Sequence, residues 1–475
     1  MPAPEAPVAG GGAVQRWAVV ALVGLTAVVA AACLLVFQVS PVAVAAVVVV
    51  PAALVALAAA VRVPDGGLVA LLVLTVVLFQ PDDGLQPAEV AYLLLYLVVL
   101  ATWYGSRLVS GEPMTRSRLD RVALFLTVVG VGGGALLGVL HGAPPLAIQG
   151  EVTGFSTVAL FLPVREFVRR HRHGASVVGA ILVWFGVWIS VRNIFDAYVA
   201  IAGATQLWQI ADVRAANGDL TLHVGTVVAF GTATALRGRL LKALAVAAGT
   251  VCLVGVFLAK SRGYWVDFAF ALVLLFVFAP PSGRRRLVVG GVGTVAVLAV
   301  PLLAVLGPTA AVLLSGAVRR VSSIGGSLTG DVSLINRFVE TRAVWAKIQA
   351  NPVVGHGFGT EFSYHSVLSE GIATSSFVHN GFVGLWYKVG LWGLLAMAVL
   401  WVGSGATGIW ASRYGAGLSR VERGLALGAG VAMLSLLPTV TTSNPFLLFD
   451  TFIVVAVAMG LAHGLTQRPA AGAGR

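Results

Sequence analysis

Long apolar runs separated by polar turns make up most of the sequence. They fall near residues 17–37, 42–61, 67–79, 90–104, 122–140, 152–164, 175–191, 223–236, 243–258, 264–279, 287–306, 390–410, 425–440 and 446–463. A helix needs ~20 apolar residues to cross a bilayer, and the shorter runs can borrow polar flanks or tilt. We therefore predict an all-α polytopic membrane protein with about 12–14 transmembrane helices, the first of them retained rather than cleaved.

One long polar interval interrupts this pattern after the eleventh run. Within it, the segment DVSLINRFVETRAVWAKIQANP predicts a helix, with an apolar stripe at Ile335, Phe338, Val339, Trp345 and Ile348. Asp331 or Ser333 can cap its start, and Asn351-Pro352 ends it. The predicted organisation is a transmembrane bundle over 1–306, a partly helical extracytoplasmic loop over 307–378, C-terminal spans over 379–463 and a cytoplasmic tail over 464–475.

Composition and charge support this assignment. The 475 residues are 58% hydrophobic and 11% charged, whereas soluble domains carry about 25% charged residues. The net charge of +12 does not indicate nucleic acid, because 21 of the 31 Lys and Arg fall in alternate loops. That asymmetry predicts a multi-pass protein of the cytoplasmic membrane, with both termini inside and the long loop outside. Cys33 and Cys252 both lie in apolar runs, so neither indicates a disulfide or a metal site.

The ten basic residues on the outer side are not needed for membrane insertion, so they are candidates for functional residues. They are Arg192, Arg214, Lys260, Arg262, Arg319, Arg320, Arg337, Arg342, Lys347 and Lys388. Arg262 lies in SRGYW at 261–265, at the predicted start of a span. There an Arg fork and a helix N-terminus can bind phosphate, although the arginine can equally snorkel to lipid headgroups.

Three other polar residues on the outer side have two interpretations each. Arg192 ends a predicted span, where it is either one of the arginines that are common at span ends or a functional residue. Arg337 can pair with Glu340 one turn along its helix, or it can bind a ligand. His379, in front of Asn380, lies where the long loop meets the next span. It is either a helix cap or a general base, the usual catalytic role of histidine near neutral pH.

Four short motifs follow one another around the loop: SRGYW at 261–265, NR at 336–337, NPVVGHGFG at 351–359 and HNGFVGLWYKVGLWGLL at 379–395. In this order they resemble the O-antigen ligase and O-antigen polymerase superfamily of bacterial membrane glycosyltransferases. The resemblance covers residues 190–410, and the first six spans match only as generic hydrophobic helices. It departs at Lys388, where many members have an acidic residue, and we expect this departure to bear on the acceptor.

The resemblance implies that a glycan is transferred from an undecaprenyl-diphosphate carrier to an acceptor sugar hydroxyl on the outer face of the membrane. It implies that Arg192, Arg262, Arg337 and Asn380 bind the lipid diphosphate and glycan. His379 would activate the acceptor, with Arg262 also acting in catalysis. No metal or cofactor is implied, because arginines can stabilise a diphosphate leaving group by their own charge. The expected partners are the carrier-linked donor, a glycan-, lipid- or protein-linked acceptor and membrane lipid, but not nucleic acid.

Three alternatives remain at this point. A flippase for lipid-linked oligosaccharide suits the number of spans, but it would place charged residues along a midplane cavity, and these spans are almost free of charge. A peptidoglycan-type polymerase uses a similar donor but would be expected to rely on a carboxylate of the outer loop. Asp82-Asp83 could serve a metal-dependent enzyme, although QPDDG is more simply a turn. The choice between ligase and polymerase stays open.

Overall fold

The computed structural model describes residues 64–78, 87–215, 218–291, 307–322 and 331–468. The chain divides into two compact units, Met1–Gly111 and Glu112–Arg475. The described part of the first unit consists of α1 (Pro64–Leu78) and α2 (Pro87–Ser110), which pack together. The Thr75 and Tyr92 hydroxyls join the two helices at 2.7 Å. The predicted spans 17–37 and 42–61, the Asp82-Asp83 turn and most of 287–306 lie outside the described residues.

The second unit is mainly helical. Its helices whose two ends both lie within the described residues are α3 (Arg118–Phe125), α4 (Val131–Leu140), α5 (Pro145–Ser156), α6 (Phe161–Arg170), α7 (Gly174–Ala202), α8 (Leu207–Asp212), α9 (Asp219–Ala235), α10 (Arg239–Ala259), α11 (Arg262–Phe278), α12 (Pro308–Ser322), α13 (Val332–Ala350), α14 (Gly381–Tyr414), α15 (Arg420–Ser435), α16 (Leu437–Val440) and α17 (Phe449–Thr466). A π-helical turn joins α3 to α4, and a 3₁₀ turn joins α5 to α6. The strands β1 (Phe362–Ser366) and β2 (Gly371–Ser375) form one antiparallel hairpin.

The predicted fold class is confirmed. In the part of the chain that is described, eight helices are long and apolar enough to cross a membrane, and they coincide with predicted runs. The helix predicted over 390–410 begins earlier, at Gly381, and bends at Gly390, whose φ is 72°. Hydropathy missed its first turns because they carry polar residues that are buried in protein rather than exposed to lipid.

Loops that the charge pattern assigned to one side of the membrane meet at one end of the bundle. Arg165, after the sixth predicted span, is fully buried and pairs with Asp120 at 3.4 Å and Glu166 at 2.7 Å. Arg468, after the last span, pairs with Glu422, which lies before the thirteenth. The alternation read from the basic residues therefore agrees with the packing, while the identity of the two sides stays a prediction.

The loop helix α13 forms as predicted, but its buried face is different. Asp331 caps it by accepting from the backbone N–H of Ser333 and Leu334. The predicted apolar stripe is right at Ile348, which is buried, but wrong at Phe338 and Trp345, which are exposed. The buried positions are Asn336, Glu340, Val344 and Ile348. Two of these four are polar, so a search for apolar periodicity could not find this face.

The NPVVGHGFG stretch packs directly on α4. Phe358 is fully buried, and its backbone N–H donates to the Gly134 carbonyl at 2.8 Å. Gly357 has a φ of 90°, and a Cβ there or at Gly138 would collide with the backbone of the other segment. Gly357 and Gly138 are thus both required for the close approach of this turn to α4.

Candidate active site

His379 is held by Glu340 of α13. The His379 ring Nδ1 lies 2.8 Å from one Glu340 carboxylate oxygen, and the His379 backbone N–H donates to the other oxygen at 2.5 Å. The Glu340 side chain is 1% exposed, whereas that of His379 is 42% exposed. A carboxylate oxygen accepts from Nδ1, so in the neutral ring Nδ1 carries the proton and Nε2 has the lone pair. This is the tautomer that a general base requires.

The residue that caps α14 is Asn380 and not His379. Asn380 Oδ1 accepts from the backbone N–H of Val383 at 3.1 Å and so caps α14. Its oxygen is therefore engaged in the fold, and a ligand contact by Asn380 would use its amide nitrogen.

Arg337 lies one turn before Glu340 on α13 but does not bond to it. Its Nη1 donates instead to the Thr442 carbonyl at 2.7 Å. Burial lowers the pKa of Arg337, and the nearby charge of Arg214 acts in the same direction, whereas Glu340 and Asp331 oppose it. The predicted Arg337–Glu340 ion pair is thus replaced by two separate contacts. As a result, α13 presents the Arg337 guanidinium one turn away from the Glu340 carboxylate that holds the His379 imidazole.

Arg262 is the first residue of α11, and it binds the cap residue of α13. Its Nη1 lies 2.6 Å from Asp331 Oδ2, and both side chains remain partly exposed, at 32% and 23%. Burial alone would raise the pKa of Asp331, but the N–H of Leu334 and the Arg262 charge outweigh it and lower that pKa. Ser261 makes no side-chain cap on α11, so the first N–H groups of this helix are not used by it. Arg262 is thereby bound to the same loop helix that carries Arg337.

A segment near the C-terminus, residues 437–448, links these parts. Its Thr439 N–H donates to Asp267 of α11 at 3.2 Å, and Asn444 Nδ2 donates to the Val378 carbonyl at 2.9 Å. Thr442 accepts from Arg337, as described above. This segment therefore touches α11, α13 and the residue before His379. We name it the linking segment.

Arg192 was predicted to end its span, but α7 continues for ten residues beyond it. It lies 18 residues after Gly174, about 27 Å along the axis, which is close to the ~30 Å hydrocarbon thickness. The buried Ser190 donates to Val251 of α10, so this part of α7 lies beside the last turns before Arg262. No hydrogen bond or ion pair among the described residues joins Arg192 itself to Arg262, Arg337 or His379.

Lys388, which we expected to bear on the acceptor, is fully buried. Its Nζ donates to Glu151 of α5 at 2.9 Å and to the Thr360 carbonyl at 2.9 Å. Glu151 also accepts from the Gly359 N–H at 2.7 Å. Through these two buried hydrogen bonds, Lys388 connects α14 to α5 and to the turn after α13. A carboxylate at position 388 would face Glu151 and repel it, which accounts for a lysine here.

Sequence inspection missed two parts of this arrangement. Glu340 was considered only as a partner of Arg337, and the linking segment was read as the junction of two spans. The run TTSNP at 441–445 carried a signal, because five polar or turn-forming residues between apolar spans are unusual for a short connection.

Residues 247–398 match the family model Wzy_C, O-antigen ligase. This match, over about a third of the chain, supports the resemblance to the O-antigen ligase/polymerase superfamily. The resemblance predicted from four motifs is confirmed, and the matched region contains Arg262, Arg337, Glu340 and His379. It supports glycan transfer of the O-antigen ligase type in general terms. No curated protein matches the chain.

Proposed function

We propose that this protein transfers a glycan from an undecaprenyl-diphosphate carrier to an acceptor sugar hydroxyl at the outer face of the cytoplasmic membrane. The observation that carries the proposal is the arrangement of His379. Its ring is fixed through Nδ1 by the buried Glu340, and it lies next to the turn that bears Arg337. The loop helix α13 thus carries a diphosphate-binding cation, Arg337, and the carboxylate of Glu340 that holds the base in front of α14.

His379 acts as the general base. Its Nε2 accepts the proton of the acceptor hydroxyl as the acceptor oxygen bonds to the anomeric carbon of the donor sugar. The bond between that carbon and the diphosphate oxygen breaks, and its electron pair leaves with the diphosphate. Glu340 keeps the ring in the required tautomer and stabilises the imidazolium that forms, as a carboxylate does in other histidine-based sites.

Arg262 and Arg337 bind the diphosphate and stabilise the charge that grows on it. Each guanidinium keeps several N–H donors beyond the single contact that orients it. The N-terminus of α11, which the Ser261 side chain does not cap, adds favourable partial charge for an anion. Arg192 remains a proposed third cation, from its position near the outer end of α7.

The site belongs to the end of the bundle that carries the 307–378 loop, and we propose that this end is extracytoplasmic. The support is the count of basic residues, together with the observation that loops of the opposite set cluster at the other end. The acceptor then arrives from outside the cell, and the carrier lipid from the bilayer.

Transfer by a His379→Gln variant tests the proposal. Glutamine keeps some hydrogen bonding to Glu340 but cannot act as a base, so we expect turnover to fall by about 10²–10⁴ while donor binding persists. His365→Gln, at an exposed position on β1, is the matched control and should behave as wild type. Both would be measured in nanodiscs with lipid-linked glycans extracted from the native cells. Near wild-type transfer by a folded His379→Gln protein would show that His379 is structural.

A further inference from the structure

A polar pocket lies beside the active site and has no part in the chemistry above. It encloses 330 Å³ and is lined from four directions. His141 comes from the turn after α4, Lys347 from the last turn of α13, His356 and Glu361 from the turn that follows, and Tyr387 from α14. A volume of this order is at the small end of ligand sites.

The two histidines of the pocket have fixed tautomers. His356 Nε2 lies 2.9 Å from the Lys347 carbonyl, and His141 Nδ1 lies 2.9 Å from the Leu137 carbonyl. A carbonyl only accepts, so each of these nitrogens donates, and the other nitrogen of each neutral ring is an acceptor. Neither acceptor has a hydrogen-bond partner among the described residues. The ring centroids are 5.8 Å apart, so the two histidines lie close together at the wall of the pocket.

These acceptors call for a ligand with hydroxyl donors. Burial lowers the pKa of His356; the hydrogen bond to the Lys347 carbonyl opposes this, and the charges of Lys347 and Lys388 lower the pKa further. The net shift favours the neutral ring, in which Nδ1 is an acceptor. A metal ion is disfavoured, because the described part of the chain holds no group of three His, Cys, Asp or Glu suited to one. Lys347 adds a donor and Glu361 an acceptor. Such a mixture of donors and acceptors suits a compound with many hydroxyl groups.

The position of the pocket relates it to His379. Lys347 follows Glu340 by seven residues, so the two side chains share one face of α13, about 10 Å apart along the axis. Between them, Val344 packs with Val378 and Tyr387 in a buried apolar cluster. The pocket is therefore on the same side of the loop helix as the base, yet is separated from it by more than a hydrogen-bonding distance.

We propose that this pocket binds the hydroxyl groups of a saccharide unit of one glycan substrate, at a distance from the bond being formed. The inference rests on the proposed function of the His379 site. It assigns to the NPVVGHGFG stretch a role in substrate recognition, through His356, in addition to its packing on α4.

Two substitutions remove the acceptors and keep the contacts that hold the turns. The amide nitrogen of Gln can occupy the place of His Nε2, so His356→Gln retains the bond to the Lys347 carbonyl and loses Nδ1. The amide nitrogen of Asn can occupy the place of Nδ1, so His141→Asn retains the bond to the Leu137 carbonyl and loses Nε2. Gln349→Ala, at an exposed position of α13 outside the pocket, is the matched control.

The direct measurement is binding of an oligosaccharide released by mild acid from the lipid-linked glycans of the native cells. Saturation-transfer NMR on the protein in nanodiscs should give binding to wild type and to Gln349→Ala. Each histidine variant should bind about 3- to 10-fold more weakly, the effect of one lost hydrogen bond. No binding to wild type, or unchanged binding in both folded histidine variants, would overturn the proposal.

A kinetic measurement identifies which glycan occupies the pocket. A higher KM for the lipid-linked donor alone assigns the pocket to the donor, and a higher KM for the acceptor alone assigns it to the acceptor, with kcat retained in both cases. His379→Gln should still bind the free oligosaccharide. If His379→Gln transfers glycan normally while the pocket variants lose binding, the proposed mechanism fails and the saccharide site stands.

Discussion

Glu340 binds His379 at two atoms, the ring Nδ1 at 2.8 Å and the backbone N–H at 2.5 Å. A single carboxylate thus orients the imidazole and also ties the loop helix α13 to the start of α14. Its near-complete burial strengthens both bonds, because little water competes for the carboxylate oxygens. Loss of Glu340 would therefore disturb the position of the base without touching the substrate.

Glu340→Gln tests this positioning role. The amide offers an oxygen to only one of the two donors and presents its NH₂ group to the other. We expect kcat to fall about 10- to 100-fold, in line with the loss of a hydrogen bond to a charged group, while the Kd for the donor changes little. The pH dependence of kcat should also change, because the imidazolium loses its carboxylate partner.

The matched control is Glu370→Gln in the exposed hairpin turn, where no such contact exists among the described residues. A folded Glu340→Gln protein with wild-type kcat and an unaltered pH profile would mean that the pair serves only the fold.

Arg262 should not be replaceable by lysine. An ammonium keeps the charge but cannot contact Asp331 and a phosphate with one planar fork. We expect Arg262→Lys and Arg262→Ala each to weaken donor binding, with the loss of one charge-assisted bond costing about 1.5–3 kcal/mol. The measurement is the Kd for undecaprenyl diphosphate in nanodiscs, with Arg319→Ala as an exposed control.

Arg192→Ala is measured in the same experiment, because no hydrogen bond or ion pair in the described part of the chain joins Arg192 to Arg262. A loss similar to that of Arg262→Ala would include it in the diphosphate site. An unchanged Kd would limit the site to Arg262 and Arg337, and unchanged binding in all of these variants would contradict the proposed donor site.

Lys388→Met should destabilise the protein, because it leaves the buried Glu151 without its cation. Breaking a buried pair by removing one partner typically costs about 3–5 kcal/mol. Thermal unfolding in detergent should therefore show a clear loss of stability. The double variant Lys388→Met/Glu151→Gln removes both charges and should recover part of it, as a double-mutant cycle would reveal. Equal stability of wild type and Lys388→Met would show that the pair contributes nothing.

The side of the membrane on which each set of loops lies can be tested by labelling single cysteines introduced into a Cys33→Ser/Cys252→Ala background. Ser369→Cys lies on the exposed hairpin turn, and His173→Cys lies at the opposite set of loops. An impermeant thiol reagent should label Ser369→Cys in intact cells and His173→Cys only after permeabilisation. The reverse pattern would place the proposed site in the cytoplasm and remove the proposed donor and acceptor geometry.

Much of the fold could be predicted from the sequence because its signals are local. Each span is a continuous apolar segment, and each basic loop biases insertion near its own position. The loop helix followed in the same way from the cap at Asp331 and the stop at Asn351-Pro352. The candidate site residues could also be found in the sequence. Arg262, Arg337 and His379 are polar residues at a span end, in the loop helix and at the end of the loop.

The tertiary structure alone decided which of these residues meet. Glu340 reaches a histidine 39 residues away, Arg337 a carbonyl 105 residues away, and Lys388 a carboxylate 237 residues away. A periodic pattern reports which side of a helix is apolar, but the buried side of α13 is half polar and is satisfied by distant partners. Apolar burial is a property of single residues and can be read along the chain. A hydrogen bond needs two specific groups, and only the fold brings those two together.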